Sequence, residues 1–328
     1  MTGMRIAALA GGIGAARFLR GLLALLTEQH PRSEVTVIGN TADDLQLYGL
    51  HVSPDLDTLM YTLGGGIDEE QGWGRQDENF VVQHEVAAYG VGPQWFALGD
   101  RDLATHIVRT QMLAGYPLSD VTASLCRRWL ADLPLPTRLL PMSDDRVETH
   151  VVVRGPDGAR RAIHFQEWWV RYRASLPAEQ IVLVGIDDAR PAPGVLSAIA
   201  DADVVLLPPS NPVVSIGPIL SVPGVREAIR NTAAPVVGIS PIIGGRPVRG
   251  MADACLAAIG VDSSAAGVAS LLADVLDGWL VDTTDVDELD PIASLGMETR
   301  AVPLLMRDVA AAASMAGEAL ALAAEASA

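Results

Sequence analysis

The sequence predicts an α/β fold: a doubly wound, mainly parallel sheet with helices on both faces and a smaller mixed insertion. Three observations carry this. Short, continuous apolar runs, beginning with Arg5 to Ala10, recur between helix-like segments, as in parallel strands covered on both faces. The first run feeds directly into Gly11-Gly12-Ile13-Gly14, a glycine turn between a strand and a helix. Hairpin chemistry is concentrated at Gly155-Pro156-Asp157-Gly158, which points to a local antiparallel insertion.

Taken in order, Arg5 to Ala10 is a buried strand and Ala15 to Thr27 a helix with Phe18, Leu19, Leu22, Leu25 and Leu26 on its apolar side. Glu34 to Gly39 is the second strand. Ser53-Pro54 followed by Asp57 reads as a helix start, with Ser at the cap, Pro at the first helical position and acid in the first turn. Gln94 to Leu98 reads as a short strand ending at Gly99, and Leu103 to Leu113 as a helix. Ser119 caps a further helix to Leu130. Thr149 to Val153 and Arg160 to Phe165 flank the hairpin turn. Ile181 to Gly185, Val204 to Leu207 and Val236 to Ile239 return to the parallel-strand pattern, with helices at Pro223 to Asn231 and Met251 to Ile259. The Ala-rich stretch Arg307 to Ala328 is a helix whose small side chains suit packing on another helix, a second subunit included. No linker or repeat interrupts the chain. A single α/β domain over residues 1–328 is expected, with the mixed insertion near 115–175.

Composition narrows the function. At 328 residues the chain can bury a sizeable core. Its 40 acidic against 23 basic residues give a net charge of −17, the wrong sign for a nucleic-acid backbone or an anionic membrane. All 23 basic residues are Arg, which excludes Schiff-base chemistry and a Walker-type lysine. The two cysteines, Cys126 and Cys255, fall in apolar helix-like stretches and read as reduced core residues. No leader pattern precedes the first strand, and no run approaches the roughly 18 apolar residues of a membrane helix. A soluble, cytoplasmic protein is expected.

The glycine turn lets backbone approach a ligand while the next helix aims its free amides at the same place. It matches neither the dinucleotide Gly-x-Gly-x-x-Gly pattern, since Arg17 follows Gly14 where the third glycine belongs, nor a Walker loop. Asn40 to Met60 carries Asp43, Asp44, Asp55 and Asp57 with no Arg or Lys among them. Aspartate is common at helix starts, where it satisfies orphan amides, and Asp55 fits that role as well as a functional one. Asp43 and Asp57, at the sheet's ligand edge, suit Mg²⁺ together with substrate phosphates. Arg101, between Asp100 and Asp102, is either a surface ion pair or an anion clamp. His106 reads as a packed histidine. Pro208-Pro209-Ser210-Asn211-Pro212 and Ser215 form a stiff loop that presents hydrogen-bonding groups to a base or phosphate. Phe165 to Tyr172 concentrates aromatics, as a core plug or as the wall for a planar ring.

Seven ordered segments resemble one family: AGGIGAARFLRGL, HVSPDLDTLMYTLGGG, WFALGDRDLATH, LPMSDD, HFQEWWVRYR, PSNPVVSIGPIL and SPIIGG. Over Ala10 to about Met306 the chain is similar to the 2-phospho-L-lactate transferases of coenzyme F-420 biosynthesis, in their phosphoenolpyruvate-transferring form. GGGIDEEQGWG and HFQEWWVRYR favour that form. The resemblance implies transfer of a phosphoenolpyruvyl or phospholactyl group from a guanylyl diphosphate-type donor to the ribityl hydroxyl of a deazaflavin alcohol, with GMP leaving. It further implies Mg²⁺, a homodimer, Asp43 and Asp57 at metal and acceptor positions, and Arg101 near the acceptor. The glycine loop and Ser210-Asn211 match the family's nucleotide-binding segments, and substrate binding is expected of Gly11, Gly12, Gly14, Asn40, Asp44, Asp57, Arg101, Ser210, Asn211 and Ser215. Ala42 departs from the glycine many relatives carry. Two alternatives remain open: a nucleotide-sugar-binding regulatory protein of the same superfamily without turnover, and a nucleotide-dependent oxidoreductase.

Overall fold

The computed structural model describes residues 3–155 and 157–326. Its strands in the first half are β1 Arg5–Ala10, β2 Glu34–Gly39, β3 Leu45–Leu47, β4 Leu50–Val52, β5 Thr137–Pro141, β6 Glu148–Arg154 and β7 Arg160–His164. They continue with β8 Ala178–Val184, β9 Val204–Leu207, β10 Val236–Ile239, β11 Ile242–Ile243, β12 Arg246–Pro247, β13 Gly278–Asp282 and β14 Glu298–Val302. The helices that build the site are α1 Gly12–Gln29, α2 Pro54–Leu63, α3 Val81–Ala88, α4 Asp100–Leu113 and α5 Leu118–Leu130.

Seven strands form one all-parallel sheet in the order β14-β13-β10-β9-β1-β2-β5. From β1 the chain steps outward to β2 and β5, returns to β9 on the other flank of β1, and steps outward again. The winding reverses between β1 and β9, where open α/β sheets leave a crevice for ligand. In β1, Ile6, Ala8 and Ala10 join the core on one face while Ala7 and Leu9 join the core on the other. That is why this strand is apolar from Ile6 to Ala10, where neither face meets water.

A second, antiparallel sheet, β7-β6-β8, stands apart from the main one. The hairpin expected at Gly155 to Gly158 joins β6 to β7, with Arg154 opposite Arg160; Pro156 lies outside the described residues. Ile181 to Gly185 was expected in the parallel sheet, but β8 pairs antiparallel with β6, Ile181 opposite Val151. Its exposed Val184 and Gln180 fit a sheet covered on one face only. Residues 94–98, expected as a strand, are loop. Leu98 is buried with Leu45, Leu47 and Val52, and Trp95 and Phe96 pack on them, so this apolar run fills a satellite core. Three main-sheet strands escape the sequence reading. β5 and β14 are edge strands carrying polar residues, and β13 opens on Gly278 and closes on Asp282, leaving a short apolar run between. Ser119 does not cap α5, which begins at Leu118 after Pro117; its amide and hydroxyl both donate to Asp144 instead.

The Ala-rich tail forms the helix Val309–Ala326, and its last two residues lie outside the described ones. By length and composition this helix is apolar enough to cross a membrane, contrary to the sequence expectation. Its Ala312, Met315, Ala316, Ala319 and Leu322 are buried in the core it shares with α1. The expected helix partner is therefore this chain's own first helix. A Cβ on Gly21 of α1 would come within 2.4 Å of the Ala312 backbone, so the close approach requires glycine. Gly21→Val should force the two helices apart and lower stability by about 1–3 kcal/mol, measurable as a shift in the urea midpoint.

Candidate active site

A cavity of about 410 Å³ lies at the winding reversal, outside the carboxyl ends of β1 and β9. Its floor is the glycine turn. Gly11 is extended and Gly12, at φ +71°, opens α1 without an acidic residue in the first turn. The Asp55 carboxylate takes the Gly12 amide, and no acid of the helix's own first turn competes for the other free amides at this end. A Cβ on Gly11 would sit 2.6 Å from the Asp55 carboxylate and from Ser215, and one on Gly14 would sit 2.4 Å from the Pro209 carbonyl. Both glycines are thus fixed by close packing. Ser210 Oγ accepts the Gly11 amide at 3.5 Å. Asn211 caps the turn after β9, its Oδ1 accepting from the amides of Val213 and Val214 while its Nδ2 donates to Cys255.

Two carboxylates enter this cavity, Asp43 and Asp55, 3% and 8% exposed. Burial raises the Asp43 carboxyl well above its ordinary range, and the negative neighbours Asp55 and Asp44 add to the effect. Burial likewise raises Asp55 to about 6, against the opposing hydrogen bond from Asn40. Asn40 is wholly buried beneath them. Its Nδ2 donates to Asp55 at 2.9 Å and to the Val214 carbonyl at 3.2 Å, and its Oδ1 accepts the Ala42 amide. Asp43 Oδ1 has no hydrogen-bond partner among the described residues. Two buried acids whose negative neighbours disfavour their charge, one with an unmatched oxygen, suit a cation.

The other two acids of the cluster face elsewhere. Asp44 accepts from Ser53 at 2.7 Å and contacts His51 Nε2 at 2.8 Å. Ser53, expected to cap α2, makes this bond in place of a cap. Asp57 receives both terminal nitrogens of Arg109, which is 1% exposed on α4. The expectation of an uncompensated Asp57 in the ligand cleft is thereby corrected, because its positive partner lies 52 residues downstream. Burial alone would push the Arg109 guanidinium down; the Asp57 charge more than reverses this. His106 packs in the same pocket, its Nδ1 3.1 Å from Arg109 and its Nε2 3.3 Å from Asp102, which also accepts from Tyr61 at 2.8 Å. It is the packed histidine that the sequence suggested.

Arg101 is also off the cavity. It is the second residue of α4, and its guanidinium lies near the Gln76 carbonyl and 3.9 Å from Asp77. The cavity's basic groups among the described residues are instead Arg17 and Arg249, neither singled out from sequence. The aromatic segment divides: Trp168 is the core plug, donating to the Leu176 carbonyl, while Phe165 and Trp169 line the cavity with Trp73 and Phe96. Of the expected ligand residues, Gly11, Gly12, Gly14, Asp43, Ser210, Asn211 and Ser215 line the cavity, Asn40 supports it, and Asp44, Asp57 and Arg101 do not reach it. Asp55 is the principal omission. Residues two apart on a helix are about 200° apart around its axis, so Asp55 and Asp57 cannot both face one cavity.

Asp57→Ala leaves Arg109 charged and buried without its partner, and should cost about 3–5 kcal/mol of stability. Asp57→Leu combined with Arg109→Met should recover part of that loss. Urea unfolding of the two variants checks this, and an unchanged midpoint in Asp57→Ala would contradict the pairing.

A model of the 2-phospho-L-lactate transferase CofD family matches residues 6–301. The phosphoenolpyruvate transferase of Streptomyces coelicolor is 63% identical over 324 residues, covering 98% of this chain and 99% of that one. The phosphoenolpyruvate transferase of Mycolicibacterium smegmatis is 54% identical, covering 95% and 96%. Among solved structures, a UPF0052-family protein of Bacillus halodurans shares the fold, with a TM-score of 0.64 at 18% identity, covering 98% of this chain and 99% of that one. The chain belongs to the 2-phospho-L-lactate transferase CofD family.

Proposed function

We propose that this chain transfers a phosphoenolpyruvyl group from a guanylyl diphosphate-type donor to the ribityl hydroxyl of a deazaflavin alcohol, releasing GMP. That it is a transferase of the phosphoenolpyruvate or phospholactate class in coenzyme F-420 biosynthesis follows from its family. The finer reading rests on one observation: an amide-rich glycine turn and two buried, charge-disfavoured carboxylates, Asp43 and Asp55, share one cavity wall.

In this reading Asp43 and Asp55 hold Mg²⁺, replacing the Asp43 and Asp57 pair expected from sequence. When bound, the cation would offset negative charge on the diphosphate as the nucleotide leaves. The glycine turn and the first amides of α1 cradle the phosphates. Asn40 fixes the Asp55 carboxylate by a buried hydrogen bond. The acceptor hydroxyl oxygen attacks the phosphorus that carries the enolpyruvyl group, the bond from that phosphorus to the bridging oxygen breaks, and that oxygen leaves with GMP. The hydroxyl proton passes to the Asp55 carboxylate, which Asn40 orients from beneath. The apolar wall of Trp73, Phe96, Phe165 and Trp169 offers planar contact for the deazaflavin and shields the transferring group from water. A homodimer, expected by family resemblance, and a cytoplasmic location complete the proposal.

The direct test mixes purified protein, Mg²⁺, the deazaflavin alcohol and each candidate donor, then weighs the product by mass spectrometry. A product carrying neither group would reject the reading. Asp43→Asn and Asp55→Asn should each lower kcat by about 10²-fold or more while the protein still melts cooperatively. Because burial raises Asp55, its ionisation opposes folding as pH climbs from the ordinary carboxylate range through about 6. A cation binding there must displace that proton. Mg²⁺ should therefore bind more tightly between about pH 5 and about pH 7 and release protons as it does, which titration calorimetry in buffers of different ionisation enthalpy measures.

A further inference from the structure

We infer that Arg17 and Arg249 form an anion clamp for which the carbonyls of the loop between Ile67 and Arg75 compete, so that a diphosphate in the cavity takes the two guanidinium groups and lets the loop go. The inference rests on the reading of a diphosphate donor and deepens it, since that reading names no basic residue for the phosphates.

Arg17 and Arg249 are the basic side chains on the cavity wall among the described residues, in a chain without lysine. Arg17 stands one turn beyond Gly14 on α1, on the side of the helix that carries the glycine turn. Arg249 comes from the segment after β12. Neither makes an ion pair to a carboxylate among the described residues; Glu69 is taken by Arg20 instead. Both guanidinium groups go to backbone of one loop: Arg17 Nη2 donates to the Glu69 carbonyl at 3.0 Å, and Arg249 Nη2 donates to the Gln71 carbonyl. A carbonyl is a neutral acceptor that meets one N–H, whereas a phosphate carries charge and can take a guanidinium bidentately. The exchange therefore runs towards the phosphate.

The loop is braced internally, and the Arg20 to Glu69 ion pair is the tie to α1 that remains when the two arginines leave its carbonyls. Ile67 pairs with Arg75 across its base. Asp68 accepts the amides of Glu70 and Gln71 inside it, and positive φ at Gly72 and Gly74 shapes its tip. The base is anchored by Arg75, whose guanidinium lies 4.9 Å from the Trp129 ring centre and donates to the Arg101 carbonyl. The tip carries Trp73, 49% exposed and on the cavity wall, next to Gly72. A Cβ on Gly72 would stand 2.5 Å from Arg249 Nη1, so the tip closes directly onto the clamp.

The test uses inorganic pyrophosphate with Mg²⁺ as probe, titrated calorimetrically, with thermal melting to show that each variant is folded. Arg17→Gln and Arg249→Gln should each weaken pyrophosphate binding by about tenfold or more. Gly72→Ala, which pushes the Arg249 guanidinium off the loop and strains the tip, should tighten it. The emission of Trp73, taken as the difference between wild type and Trp73→Phe, should shift on adding pyrophosphate, and Arg249→Gln should show the shifted signal without it. A wild type that ignores pyrophosphate, arginine variants that bind it unchanged, a Gly72→Ala protein that binds no tighter, or a silent Trp73 would each overturn the clamp. GDP separates the two ideas. If the arginine variants lose pyrophosphate while the guanosine of GDP adds nothing in wild type, the clamp stands and the guanylyl reading falls. If wild type binds GDP and both variants bind it equally well, that reading stands and the clamp falls.

Discussion

The buried ion pair between Asp57 and Arg109 determines which way the second helix faces. Arg109 cannot shed its charge, and at 1% exposure it cannot reach water, so the carboxylate opposite it must be present and aligned. That requirement fixes the rotation of α2 against α4. Once Asp57 points at Arg109, Asp55, two residues earlier, points to the other side, where Gly11 leaves room for its oxygen. The cavity's acidic wall therefore depends on a contact outside the cavity. The facing of the cavity's acid and the packing of α2 are here the same constraint seen from two sides of one helix.

Much of the fold could be read from the chain because its central strands are covered on both faces. β1, β2, β9 and β10 are mostly apolar and buried beyond their first residues, and the structure gives them the bounds the pattern suggests. The reading weakens where that condition fails. β5 and β14 lie at the rims of the sheet with one neighbour each, and tolerate Arg138, Pro141, Glu298 and Arg300. β8 carries an apolar run typical of a parallel strand yet joins the small antiparallel sheet, since a run of four or five residues does not specify its partner.

At the site, backbone chemistry was more legible than side-chain direction. Glycines that must approach a carboxylate or a carbonyl announce themselves, as do prolines that stiffen the loop after β9. The acids gave their number but not their facing. Asp43 and Asp44 are adjacent, and only the first enters the cavity, while Asp44 is drawn off by Ser53 and His51. Helical spacing alone separates Asp55 from Asp57, and weighing it would have shown that one of them needed a partner elsewhere. Arg109, Arg17 and Arg249 were beyond reach, since nothing local in sequence says which distant carboxylate or carbonyl an arginine will meet.

The close seat of Gly21 against Ala312 ties the first helix, whose amide end floors the cavity, to a helix far along the chain. Such a closure joins segments from opposite ends of the chain, and its entropy cost is offset only when both helices are present. The glycine turn thus takes part of its backing from the tail helix. During synthesis, a nascent chain would carry its glycine turn for most of its length without the backing that holds the turn rigid, and so would gain ligand affinity only near completion.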